Sequence, residues 1–336
     1  LKDYVKLHPK STKGDIQIKE ILTHQAGLRA FIPFYLDMLT MPAGQEVYNN
    51  TKSAEYTIQI PGMKRFVHKN SILHKDYFSN NKSNTFYQPV ANSLYSSEKA
   101  KKYIYDAIDT SKVMNKNYRY SDLGFIYLQR VIESKYEKEE DFLADAFFYS
   151  PLGMNHTMYL PLEKVSKTRI PPTEKDDVYR RQLVHGYVHD QASAMLGGVA
   201  GHAGLFSNAN DLAKLMQMYL NNGEYGGERY IDSTVVKSFT KYVNEKQCRR
   251  GLGFDKPETN PKKASPVCKE ASKDSYGHSG FTGCLVWVDP QRDLVYVFLS
   301  NRIHPSTENS RITKLSTRTE ILAHLLNTID KLQKQQ

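Results

Sequence analysis

Cys284-Leu285-Val286-Trp287-Val288-Asp289-Pro290-Gln291-Arg292-Asp293-Leu294-Val295-Tyr296-Val297-Phe298-Leu299 holds two apolar runs around one polar turn. Cys284 to Val288 and Leu294 to Leu299 are rich in β-branched and aromatic residues, so both read as buried strands. Asp289 to Asp293 lies between them, and Pro290 presets the φ that a turn needs. The stretch is a hairpin in a buried antiparallel sheet. Downstream, about Ser316 to Leu332 reads as a closing helix with Ile321, Leu322, Leu325 and Ile329 on one face. Upstream, Leu212, Leu215, Met216, Tyr219 and Leu220 make residues 209–222 an amphipathic helix that Gly223 ends. Helices followed by a sheet closed by a C-terminal helix predict an α/β layered fold.

Elsewhere the patterning is weaker. Residues 15–27 predict a helix capped by Asp15 and stopped by Gly27, with Ile16, Ile18, Ile21 and Leu22 on one face. A second helix runs from Ser121 to about Lys135, and a short one follows near Glu139 to Phe148. Ser233 caps another, and residues 160–200 read as irregular. Residues 40–100 are rich in Asn, Ser, Tyr and Lys without a sustained period. They read as an excursion over the body, either a substrate-covering lid or a mobile insertion.

Composition narrows the class. Of 336 residues, 40% are hydrophobic and 24% charged, which argues against a disordered or collagen-like chain. The longest strongly apolar stretch, Leu294 to Leu299, is too short to span a bilayer. Three cysteines without metal-site spacing argue against a disulfide scaffold or a zinc knuckle. The net charge is 46 − 36 = +10, which suits nucleic acid, a membrane surface or an anionic substrate. The basic residues are scattered in short clusters such as Lys99, Lys101, Lys102 and Arg249, Arg250, with no nucleic-acid motif around them. A basic solvated surface is the plain reading. The chain starts at Leu1 without a signal-peptide pattern, so it reads as a processed product or a fragment.

Four constellations bear on chemistry. Tyr120-Ser121-Asp122 opens a helix, where the local field favours a phenolate able to act as a base. The same tripeptide also reads as a plain N-cap. His278-Ser279-Gly280-Phe281 precedes the hairpin; its His supplies a cation or a donor, and an edge N–H suits an oxyanion. A Gly-rich turn with a capping His is the alternative. Gly197 to Ser207 is glycine-rich, a sign of tight backbone packing or of a turn at a cleft, and lacks the Lys-Ser or Lys-Thr of a phosphate loop. His185, His189, Asp190 and His202 raise the idea of a metal, but the His-Glu-x-x-His signature is absent.

Together these segments carry a resemblance. Ile21-Leu22-Thr23-His24-Gln25-Ala26-Gly27-Leu28, Tyr120-Ser121-Asp122, Pro151-Leu152-Gly153-Met154, Ala203-Gly204-Leu205-Phe206-Ser207 with Asp211-Leu212-Ala213, and His278-Ser279-Gly280 stand in order along the chain. They resemble the motifs of the serine β-lactamase and penicillin-binding-protein superfamily, class C-like branch. The likeness is closest to the β-lactamase-like domain that follows a family 3 glycoside hydrolase domain in some Bacteroidetes proteins. Val184-His185-Gly186 to His189-Asp190 and Ile32-Pro33-Phe34-Tyr35 carry that closer resemblance.

The resemblance implies a β-lactamase/DD-peptidase-like α/β fold, with an antiparallel sheet flanked by helices and an all-helical region. It implies one domain over 1–336, incomplete at its N-terminus, with 40–100 as the lid-like excursion. The implied reaction is acyl transfer by a serine in Ser-x-x-Lys, hydrolysing an amide or ester, plausibly in peptidoglycan-derived peptides. Tyr120 maps onto the base or proton relay and His278 onto the third-motif Lys. Asp122, Ser279, Gly280 and Phe281 map onto substrate-binding positions, with the Phe281 N–H as an oxyanion donor. Asp122 replaces the usual Asn, exchanging a donor-acceptor amide for an acceptor. That disfavours penicillins and suits a substrate ammonium. No metal and no cofactor is implied.

The nucleophile is the larger departure. Only 22 residues precede Thr23, so the chain reads as beginning downstream of its own serine. The Ser-x-x-Lys strings at Ser79, Ser96 and Ser238 come later and read as chance. This fragment is then expected to be inactive alone, with an exposed apolar groove or a second copy where the serine helix belongs. The implied partners are a small-molecule or peptide substrate such as a muropeptide, no nucleic acid, and an upstream glycoside hydrolase domain. The implied location is the periplasm or cell envelope. Two other readings compete: a non-catalytic peptidoglycan-binding or positioning module, and a metal hydrolase using His185, His189 and His202.

Overall fold

The computed structural model describes residues 1–42 and 44–335. Its framework helices are α1 (Ile18–Leu22), α2 (Glu98–Thr110), α3 (Asp122–Tyr136), α4 (Ala209–Leu220) and α5 (Thr317–Gln333). The expected hairpin gains a third strand. Strands β1 (Tyr276–Ser279), β2 (Leu285–Asp289) and β3 (Leu294–Phe298) form an antiparallel sheet in that order, with His278 opposite Val286 and Trp287 opposite Tyr296. Alternation along β2 divides its side chains between two cores. Leu285 and Trp287 pack with Leu322 and Leu326 of α5, while Val288 packs with Tyr276 and with Met216 of α4. Gly277 is what lets Trp287 in. A Cβ there would stand 2.5 Å from the indole and 2.1 Å from the Val286 carbonyl oxygen.

The larger core lies among α1, α2 and α3. Ile104 and Ile108 of α2 and Leu123, Ile126 and Tyr127 of α3 are buried there, and Ile21 of α1 presses on Gly124. The sheet flanked by helices and the helical region are therefore both present.

Several local expectations change. The first helix covers only Ile18–Leu22, started by Gln17 and Glu20 instead of Asp15, which pairs with Lys2 at 2.7 Å. It ends early because His24 turns left-handed, at φ 55°, and its Nδ1 accepts the Ser121 N–H. Ser233 is the first helical residue of its helix; the cap is Asp232, which accepts the Thr234 N–H at 2.8 Å. Residues 160–200 are more ordered than expected. Pro172–Asp176 and Gln182–His185 form a hairpin, and the helix Gln191–Met195 follows.

Residues 40–100 are built from short antiparallel hairpins. Val90, Ala91 and Leu94 reach the main core, while Ile60 and Val67 form a satellite core with Leu36, Leu39 and Val178. Part of the segment, Thr57 to Gln59 and Pro61, borders the large groove described next.

Candidate active site

A broad groove of about 2110 Å³ runs between the helical region and the sheet. Tyr120, Asp122, His278, Ser279, Gly280 and Phe281 all line it, so the fold brings every sequence-proposed site residue to one surface. Exposed Phe31, Leu205, Phe281 and Leu299 make much of that surface apolar.

Residues 24–30 hold Tyr120 in place. The Arg119 N–H donates to the His24 carbonyl at 2.9 Å, the Ser121 hydroxyl to the Arg29 carbonyl at 2.7 Å, and the Asp122 N–H to the Ala30 carbonyl at 3.0 Å. The His24 ring stands 4.4 Å from the Tyr120 ring. Burial, then Arg250, lowers the His24 pKa to about 3, so it is neutral, with its proton on Nε2 because Nδ1 accepts from Ser121. Tyr120 is 43% exposed. Its hydroxyl is nonetheless pushed up to about 12, by burial first and then by the neighbouring Asp122. That reverses the expectation of a favoured phenolate: Tyr120 lies before the cap residue, and Asp122 opposes the helix field. Tyr120 is a protonated phenol in the resting site.

Arg250 supplies the fixed positive charge. It is 1% exposed and lies over the Tyr120 ring at 5.5 Å. Its Nε meets Asp255 at 3.2 Å, Arg249 meets the same carboxylate at 3.0 Å, and the Arg250 Nη1 has no partner among the described residues. Asp255 is itself fixed to the edge of β1 by paired backbone bonds with Gly277. The sequence offered Arg249 and Arg250 only as a basic cluster; no local signal places them beside Tyr120.

His278 stands 6.1 Å from Tyr120, ring to ring. Burial, then Arg250, lowers its pKa. Of the two readings of His278, cation or donor, the lowered pKa favours the neutral donor. Its Nδ1 lies 2.8 Å from the Ser279 carbonyl. Nδ1 is then the donor, and Nε2 is left as an acceptor. Beyond it, Gly280 to Gly283 form a tight turn in which the Gly280 N–H donates to Cys284 and the Gly283 N–H to Gly280. The Phe281 N–H makes no hydrogen bond among the described residues. The Phe281 ring stacks on His189 at 5.4 Å, with the Arg302 guanidinium 4.6 Å away.

The metal reading loses its ligand set. His185 Nε2 bonds the Ile170 carbonyl, His202 Nε2 lies 2.8 Å from Asp190, and His189 stacks on Phe281. The described residues contain no cluster of His, Cys, Asp and Glu arranged to hold an ion. The Ser-x-x-Lys strings lie away from the groove lining. Ser96 is buried with its hydroxyl on the Met195 carbonyl, and Ser238 belongs to the helix Ser233–Thr240.

The groove thus gathers a tyrosine, a neutral histidine, a buried arginine and a free backbone N–H between a helical region and an antiparallel sheet. The family model described as Beta-lactamase matches residues 75–316, and the chain belongs to that family. A protein of Salmonella enteritidis PT4 described as "Putative D-alanyl-D-alanine carboxypeptidase" is 35% identical over 205 residues, covering 57% of this chain and 47% of the relative. One of Salmonella typhi with the same description matches to the same extent. The chain thus spans about half the length of the curated relatives it matches. Among solved structures, the octameric penicillin-binding protein homologue from Pyrococcus abyssi superimposes with a TM-score of 0.55 at 16% identity. That superposition covers 97% of this chain and 59% of the other.

Proposed function

We propose that the chain forms the proton-handling and oxyanion walls of a serine hydrolase that cleaves peptides ending in D-alanine. The observation that carries this reading is the convergence of Tyr120, His278, Arg250 and the free Phe281 N–H on one groove. The printed name of the Salmonella relatives supports the substrate class. In the proposed reaction a serine oxygen bonds to the substrate carbonyl carbon, and its proton goes to His278 Nε2. The oxyanion meets the Phe281 N–H. The carbonyl–nitrogen bond then breaks as the proton passes, through the Tyr120 hydroxyl, to the leaving amine. Water repeats the sequence on the acyl-enzyme.

The groove contains no serine paired with a lysine among the described residues. We therefore assign the nucleophile to a segment outside these walls, seated on the exposed apolar side chains. On the sequence resemblance alone, we assign the protein to the cell envelope, as one domain beside a glycoside hydrolase domain, with residues 40–100 as a lid-like cover. The test is D-alanine release from diacetyl-L-lysyl-D-alanyl-D-alanine by the full parent polypeptide. Tyr120→Phe and His278→Ala are each expected to lower kcat by about 100-fold or more. Unchanged rates in both variants overturn the assignment. Binding without release by the unmodified protein favours the non-catalytic peptidoglycan-holding module.

A further inference from the structure

The groove carries a second group of ionisable side chains that the proposed acyl transfer leaves unused: Asp122, Asp190 and His202. Asp190 caps the helix Gln191–Met195, accepting the Ser193 N–H at 2.7 Å, and His202 Nε2 lies 2.8 Å from the same carboxylate. The Ser193 hydroxyl donates to the Ala203 carbonyl at 2.8 Å, which ties the two loops together. The His202 side chain is 4% exposed, and its buried Nδ1 has no partner among the described residues. The Asp122 carboxylate has no hydrogen-bond partner among them either.

Charge accounting shows what is missing. Asp190 raises the His202 pKa and is itself lowered, so the two form a carboxylate–imidazolium pair of no net charge. His189 is held down to about 4 by burial and stays neutral. Arg180 is committed to Glu174 at 2.7 Å and Asp176 at 2.8 Å, and Arg249 and Arg250 to Asp255. Glu140, held up to about 7 by burial, adds no cation, and Glu133 accepts the Glu140 N–H. Among the described residues the one cation that answers Asp122 is His202, which Asp190 shares, so the three groups keep one net negative charge on the groove. A part-buried carboxylate is costly when unpaired, and its hydrogen bonding strengthens sharply when a charged donor reaches it.

We propose that Asp122, braced by the His202–Asp190 pair, is a recognition subsite for a primary ammonium group on the substrate. The inference rests on the peptide-hydrolase reading and names a feature of its substrate. Burial holds the Asp122 pKa up to about 6, so the subsite is expected to lose its charge and its cation preference in mild acid.

The test is calorimetric titration of the chain with Nα-acetyl-L-lysyl-D-alanyl-D-alanine and with its Nα,Nε-diacetyl counterpart. The free amine is expected to bind about tenfold or more tightly near pH 7.5. That preference is expected to vanish near pH 5 and in Asp122→Asn. The pH series on the unmodified chain keeps the test sound should the variant fold poorly. Equal affinities near pH 7.5, or a preference that survives in a folded Asp122→Asn, overturn the ammonium subsite and leave the hydrolase reading standing. Failure of both peptides to bind overturns both.

Discussion

Arg250 sets the electrostatics of the site while making no claim on the chemistry itself. Its guanidinium lowers the pKa of both Tyr120 and His278. Arg250→Met removes that field. We expect His278 to move up toward its ordinary value and the acid limb of the pH–rate profile to follow it. Turnover should fall by about tenfold or more. An unshifted limb would contradict the arrangement. Asp122 offers a stability test. Its pKa is raised from 3.8 to about 6, so its contribution to stability is intact below about pH 4 and is lost as pH rises through 6. Asp122→Asn should therefore gain on the order of 1–2 kcal/mol in urea unfolding near pH 7 and nothing below pH 4. A loss near pH 7 would refute the assignment. Tyr120, Asp122 and His278 were legible because each sits in a short motif at an element boundary. Arg250 was not, since its place depends on Asp255 bridging to Gly277 across the fold.

The elements differ in legibility for the same physical reasons. The Leu285–Phe298 hairpin was readable because each of its faces packs into a separate apolar cluster, which leaves continuous apolar runs. Helix α2 was missed. Its buried Ala100, Ile104 and Ile108 recur at helical spacing, but Glu98, Lys99, Lys101 and Lys102 crowd its first turn and hide the stripe. Helix α1 was overextended because a tertiary contact, His24 to Ser121, ends it. The hairpin at 172–185 was hidden by charges that the fold buries around Arg180. The sheet yields its own prediction. Gly277→Ala should cost roughly 3 kcal/mol or more, because the new methyl meets the backbone of Val286 and the Trp287 ring. Near-native stability in chemical unfolding would mean that Trp287 does not pack on β1 as described.

At the scale of the molecule, buried ionisable groups shape the response to acid. His24 and His189 are held down to about 3 and about 4, so the unfolded chain takes their protons first as pH falls below about 6.5. That lowers stability. Asp122 and Glu140 are held up to about 6 and about 7, and their protonation in the folded state raises stability over the same window. The two sets oppose each other down to about pH 4.5, below which the histidines, joined by Asp190 whose carboxylate His202 holds down, lower stability. Stability measured by urea unfolding should change little between about pH 6.5 and 4.5 and fall steeply below. A steep fall beginning at pH 6 would mean that the carboxylates are not buried as described. The large groove brings Asp122 and His189 beside the sheet, and Phe31, Leu205 and Leu299 leave part of its lining apolar and exposed.

The central claim is that this groove is the wall of a serine hydrolase whose nucleophile comes from outside it. The most direct measurement is labelling with a fluorescent penicillin and a fluorophosphonate, read on a denaturing gel, for this chain beside a form extended at its N-terminus. The account predicts that only the extended form labels and that Tyr120→Phe and His278→Ala weaken its label. Labelling of this chain alone, at Ser79, Ser96, Ser238 or any other serine, would contradict it.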